Sequence, residues 1–183
     1  VGSEMCIRDS HHGVGEGTVP TLTTGYLGDG QDFGGAGRID LGAASVWSTM
    51  VSNDTYAIST WLNIDSSASD QAIVSQWPGG SDGFLWWADA GGGGTGFCHY
   101  INGTYTPANC QDQADQSIGE WQYLVARYDG TLGYMYRNGI STGSGGAAAS
   151  FTTATANMAI GSAEGDGNTR PLNGQVDLSL IHI

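Results

Sequence analysis

Tyr56-Ala-Ile-Ser-Thr-Trp-Leu-Asn-Ile64 is the stretch that decides the fold. Its period is two. Tyr56, Ile58, Thr60, Leu62 and Ile64 fall on one face, while Ser59, Trp61 and Asn63 fall on the other, the pattern of a strand with one side buried. Trp121-Gln-Tyr-Leu-Val-Ala-Arg-Tyr128 repeats it, with Leu124, Ala126 and Tyr128 on one face and Trp121, Tyr123, Val125 and Arg127 on the other. Two such strands rich in aromatic and β-branched residues call for an antiparallel sheet packed against a second layer.

Working outward, shorter strands are expected at 24–28, 37–41, 72–77, 83–88, 96–101, 104–106, 133–137 and 157–161. Turn signals separate them: Pro78-Gly79-Gly80, the glycines 91–94, Asp129-Gly130 and Asn138-Gly139. No long helical period appears, and one helical turn near 43–49 is the most the pattern offers. The chain holds 31 glycines. They lie between patterned strands, so tight turns explain them better than disorder. Residues 141–156, nearly all Gly, Ala, Ser and Thr, read as a loose loop, and 11–23 as an incoming linker. Many short strands at close spacing give an all-β sandwich or barrel.

Both ends look foreign to this pattern. Residues 1–10 (VGSEMCIRDS) can be back-translated to contain GATGTGTATAAGAGACAG, and the reverse complement of that string encodes 178–183 (LSLIHI). The string matches a transposon adapter used for sequencing libraries. The expectation is that 1–10 and 178–183 are translated adapter, and that the natural segment is an internal piece of a longer protein.

The chain carries five Lys plus Arg against 18 Asp plus Glu, for a net charge of −13. It has no lysine, and within 11–177 its cations are Arg38, Arg127, Arg137 and Arg170. Such a surface lacks the basic footprint that phosphate backbones need, so neither nucleic acid nor an anionic membrane is an expected partner. The acidity suits a secreted protein and equally a saline host. No run of apolar residues is long enough to span a membrane.

Setting Cys6 aside with its tail leaves Cys98 and Cys110. Between them Asn102-Gly103 marks a two-residue hairpin pairing Ile101 with Thr104. A Cys98–Cys110 disulfide closing this excursion is the preferred reading, with two buried free thiols as the alternative; the bridge would indicate an oxidising compartment.

Five motifs, taken in order, carry a family resemblance. They are Tyr26-Leu-Gly-Asp-Gly30 with Gly37-Arg-Ile-Asp-Leu-Gly42; Tyr56-Ala-Ile-Ser-Thr-Trp61; Glu120-Trp-Gln-Tyr-Leu-Val-Ala-Arg-Tyr-Asp-Gly130; Tyr136-Arg-Asn-Gly139; and Ile160-Gly161 with Arg170-Pro-Leu-Asn-Gly-Gln-Val-Asp177. Over residues 24–177 this series resembles the laminin-G-like jelly rolls of the concanavalin A-like lectin/glucanase superfamily. The resemblance implies an antiparallel jelly-roll β-sandwich, one sheet of which curves to leave a concave surface. It also implies that the first and last strands are neighbours, so that Asp29 and Asp177 could approach and hold a structural calcium ion. Asp40, Asp82 and Asp166 are weaker candidates for that ion.

Three functions compete. In a glycan-binding module, aromatic faces meet the apolar faces of sugars; here Trp61, Tyr123 and Arg127 are the candidate ligand residues, with Trp86 and Trp87 as neighbours. A retaining glycoside hydrolase needs two carboxylates about 5–5.5 Å apart. Family 16 glucanases of that superfamily supply them with Glu-x-Asp-x-x-Glu, and the nearest string here is Glu164-Gly-Asp166-Gly-Asn-Thr169, with threonine at the last position. The sequence therefore reads as non-catalytic, and no catalytic residue is assigned. The third function is a structural or adhesive repeat making protein–protein contacts with neighbouring domains or other chains. All three place the domain outside the cell, on its surface or on a virion.

Overall fold

The period-two segments become strands, and their registers settle which side chains share a face. The computed structural model describes residues 13–43, 45, 55–78, 83–89, 97–101, 104–105, 117–145, 155–163 and 169–182. The strands are β1 (Val14–Gly17), β2 (Thr21–Thr24), β3 (Asp29–Asp32), β4 (Gly37–Asp40), β5 (Tyr56–Ile64), β6 (Gln71–Gln76) and β7 (Phe84–Ala88). They continue as β8 (Phe97–Ile101), β9 (Thr104–Tyr105), β10 (Gln122–Tyr128), β11 (Gly133–Arg137), β12 (Ile140–Gly145), β13 (Ala159–Ile160) and β14 (Gly174–His182). One sheet runs β1-β4-β13-β6-β7-β8-β9, and the other β12-β11-β10-β5-β14-β3-β2. Neighbours in both are antiparallel, and together the sheets form the jelly-roll sandwich.

The core lies where the two inner faces meet. Ile58, Leu62, Leu124, Ala126, Tyr128 and Met135 from one sheet pack against Ile73, Val74, Phe84, Trp86, Phe97 and Ile160 from the other. Burial alternates along β5 as the sequence requires, with Tyr56, Ile58, Thr60, Leu62 and Ile64 inside. β10 follows suit, with Gln122, Leu124, Ala126 and Tyr128 inside. A second apolar cluster forms on the far side of the first sheet, from Ala72, Leu85, Trp87, Cys98 and Ala163, with Trp77 against it.

Turn chemistry matches the strand ends. Asn138 and Gly139 both take positive φ, 52° and 80°, which makes the two-residue turn between β11 and β12. The Asp129 carboxylate accepts hydrogen bonds from the N–H groups of Thr131 and Leu132 at 3.0 and 2.9 Å, closing the β10–β11 connection. Ile101 pairs with Thr104, as the Asn102-Gly103 signal requires.

Several expectations give way. The strand expected at 24–28 is a hairpin: β2 and β3 pair in the register Thr24 with Asp29, leaving 25–28 as the turn. Its flanking glycines break the strand. The segment read as linker carries β1 and β2, edge strands of opposite sheets. β1 is fastened through the buried Arg38, whose guanidinium donates to Glu16. The low-complexity stretch begins as β12, because strand pairing with β11 needs backbone and not large side chains. β14 continues through 178–182, the residues assigned to adapter, and its pairing with β5 slips between Asp177 and Leu180, at the junction of the two segments. The helical turn near 43–49 falls mostly outside the described residues.

Candidate aromatic binding cleft

The outer face of the second sheet positions the site. In the ladder, Trp61 of β5 stands directly opposite Tyr123 of β10 on one side and Asp177 of β14 on the other. Directly opposed residues share a face, so these three side chains form one row. The Trp61 and Tyr123 rings lie 5.2 Å apart at 44°.

The β2–β3 turn folds over this row. Tyr26, at its tip, stacks on Trp61 with ring centroids 3.6 Å apart and planes at 19°. Trp121, one residue before β10, stands 6.5 Å from Tyr26 and tilted by 59°. Tyr26 keeps 48% of its surface exposed, so its outer ring face is open. Tyr26, Trp61, Trp121 and Tyr123, with the Asn138-Gly139 turn, line an open cleft of about 570 Å³.

Asn138 is the polar element. Its N–H donates to the Tyr123 carbonyl at 2.7 Å, and its Oδ1 accepts from the Tyr123 N–H at 2.8 Å. Because Oδ1 is held by a donor, the side-chain amide is oriented where Asn138 lines the cleft. Flat aromatic walls with one oriented amide can hold a ring that is apolar on its faces and hydroxylated at its rim.

Of the residues singled out in the sequence, the structure brings Trp61 and Tyr123 together. Arg127 shares their face but lies four residues along β10, about 13 Å away at strand spacing. There its guanidinium sits 4.8 Å above the Tyr134 ring and 3.9 Å from Asp129. The Leu132 N–H, then the Tyr134 hydroxyl, holds the Asp129 carboxyl below its ordinary range, and that same hydrogen bond raises the Tyr134 phenol. Trp86 and Trp87 are placed elsewhere: both lie on β7 in the other sheet, Trp86 in the core at 0% exposure and Trp87 in the second cluster at 5%.

Four lining residues, Tyr26, Trp121, Asn138 and Gly139, are not among the candidates that the sequence offers. Trp121 was legible on the same alternating face as Tyr123, and Asn138-Gly139 as a turn. Tyr26 was not, because only the tertiary fold of the turn brings it onto Trp61.

Asp29 is exposed on β3, whereas Asp177 is buried at 2% exposure with its Oδ2 accepting from the Leu27 N–H at 2.7 Å. Calcium takes about six to eight oxygens. Among the described residues no group of three or more His, Cys, Asp or Glu side chains gathers, so these two carboxylates do not make such a cage by themselves. Asp82, Glu164 and Asp166 lie outside the described residues, while Asp40 accepts from the Gly42 N–H and the Asn157 amide. Cys98 is buried and disulfide-bonded; Cys110 lies outside the described residues. Among the described residues no helix is long and apolar enough to cross a membrane.

Comparison with known structures places the fold. Domain 4 of the extracellular arabinanase AbnA from Geobacillus stearothermophilus, solved with arabinotriose, superposes with a TM-score of 0.71 at 19% identity, over 92% of this chain and 81% of that one. The CBM40 of the Ruminococcus gnavus IT-sialidase, bound to α2,3-sialyllactose, gives 0.56 at 15% identity over 70% and 75%. The enzymatically active domain of tailspike protein 2 from bacteriophage CBA120 gives 0.66 at 10% identity, covering 99% of this chain but 30% of that one. No curated protein matches. A laminin G family profile matches residues 33–182, and with the two-sheet jelly roll this settles the lineage: the chain belongs to the concanavalin A-like lectin/glucanases superfamily.

Proposed function

We propose that this domain is a non-catalytic carbohydrate-binding module whose site is the aromatic cleft on the outer face of the second sheet. The observation that carries the reading is the convergence of Tyr26, Trp61, Trp121 and Tyr123 from three separate segments on one open cleft beside the oriented Asn138 amide. Isolated surface aromatics need no explanation, but four lining one concavity are the composition of a sugar platform. The relatives solved with arabinotriose and sialyllactose support it at the level of fold.

The same geometry favours binding over hydrolysis at this cleft, because among the described residues lining it none is Asp or Glu. Glu16, one of the few glutamates, is engaged by Arg38. The natural context of such a module is a larger protein that is secreted, displayed on a cell or carried on a virion, with glycan as its partner. A glycan array probed with the domain tests the reading: binding that disappears in Trp61→Ala and Tyr123→Ala while the fold survives supports it.

A structural or adhesive repeat is the second reading. Val14, Val19, Leu22 and Leu27, exposed at 63, 59, 57 and 63%, favour it, since they give the N-terminal strands an apolar rim. Self-association that Leu22→Ser and Leu27→Ser abolish, with no glycan bound, would select it. Calcium on Asp29 and Asp177 is a competing role for the Asp177 carboxylate, under which the melting temperature would rise with the added ion relative to a chelator control, and no shift would remove it.

A further inference from the structure

The buried carboxylate of Asp177 stands on the aromatic face, in the row of Trp61 and Tyr123, yet it does not line the cleft. A buried charge needs hydrogen bonds. Among the described residues the donor is the backbone N–H of Leu27, at 2.7 Å. That N–H belongs to the turn whose tip is Tyr26.

The turn is shaped to reach the carboxylate. A Cβ on Gly25 would lie 2.6 Å from Asp177 Oδ2, and one on Gly30 would lie 3.0 Å from the Gly25 Cα. Two facing glycines therefore let the hairpin settle directly onto Asp177. The Gly25 N–H closes the turn by donating to the Gly28 carbonyl at 2.7 Å. The exposed Tyr26 and Leu27 side chains, at 48 and 63%, give the turn little apolar burial of its own. Its seat on the sheet thus depends on the Asp177–Leu27 contact and on the Tyr26–Trp61 stack.

We propose that Asp177 is the positioning residue of the cleft: its carboxylate latches the 25–28 turn and so holds Tyr26 against Trp61 as the cleft's upper wall. Sugar selection would then depend on a residue that touches no sugar. The ligand-binding part rests on the carbohydrate reading above, whereas the latch itself does not.

The test compares Asp177→Ala, Asp177→Asn and Tyr26→Ala in the full chain. Near-UV circular dichroism reads the stack, and hydrogen exchange at the Leu27 amide reads the latch. Asp177→Ala should lose the same near-UV signal as Tyr26→Ala, and Leu27 exchange should quicken by about tenfold or more, as expected for a lost hydrogen bond to a charged group. Asp177→Asn keeps an acceptor oxygen and should keep both signals. Gly25→Ala attacks the latch from the other side, leaves Asp177 in place, and should reproduce the Asp177→Ala result. That variant decides the matter if Asp177→Ala fails to fold. Retention of the near-UV signal and Leu27 protection in Gly25→Ala, or in a folded Asp177→Ala, overturns the proposal. So does loss of both signals in wild type on adding a chelator, which would assign the carboxylate to a cation. On the glycan array, Asp177→Ala should lose binding as Tyr26→Ala does. An array silent for wild type removes the carbohydrate reading and leaves the latch to be judged by the other two measurements.

Discussion

β5 and β7 each carry tryptophan in a short apolar-rich strand, yet they do opposite things with it. Along β5 burial alternates at every residue, and Trp61 emerges on the open side. Along β7 all five residues of Phe-Leu-Trp-Trp-Ala are buried. Trp86 fills the space between the sheets, and Trp87 fills the cluster behind the first sheet. A strand covered on one side writes an alternating sequence, and one covered on both sides writes a continuous apolar run. The polar Ser59 and Asn63 flanking Trp61 announce an open face; the neighbours of Trp86 and Trp87 announce two closed ones.

The largest way to break that comparison is truncation. Trp86→Ala should destabilise the fold by about 3–5 kcal/mol, the cost of emptying a large core site, whereas Trp61→Ala should move the melting temperature only slightly. Equal losses in thermal unfolding would erase the distinction between the two strands. On binding the order inverts: Trp61→Ala should weaken any glycan interaction by about tenfold or more, the loss of roughly 1.4 kcal/mol of ring contact.

A smaller effect separates the buried and open tyrosines. Burial, and then the neighbouring Tyr128, raises the Tyr56 phenol well above its ordinary value. The folded state holds that proton when the unfolded chain releases it near pH 10. Stability is therefore full below about pH 10 and falls as the pH rises above it. Tyr56→Phe should flatten that alkaline decline in denaturant titrations run from pH 8 to 11. The smallest effect belongs to Arg127. Its guanidinium is exposed and paired near the far end of β10, so Arg127→Ala should shift stability by at most about 1 kcal/mol and leave binding of a short glycan nearly unchanged. A strong loss of binding would extend the site along β10 to Tyr134.

The fold was legible because period two is a local property. Tyr56–Ile64 and Gln122–Tyr128 declared their buried faces residue by residue, and Asn138-Gly139 declared its turn. Half of the cleft was legible for the same reason: Trp61, Tyr123 and even Trp121 follow from alternation. Tyr26 does not, because its place on Trp61 depends on a hairpin, two glycines and a carboxylate about 150 residues away in the chain. Trp86 and Trp87 lie away from the cleft because the apolar run around them is buried on both faces. β1 and β2 look like linker in the sequence because Gly- and Thr-rich edge strands lack the hydrophobic signal that central strands carry.

The most direct test of the central claim is titration of the wild-type domain and of Trp61→Ala against a glycan selected on the array, followed by tryptophan fluorescence. Wild type should bind saturably, and Trp61→Ala should bind about tenfold or more weakly while unfolding with a wild-type-like melting curve. Undiminished binding by a folded Trp61→Ala would contradict the claim.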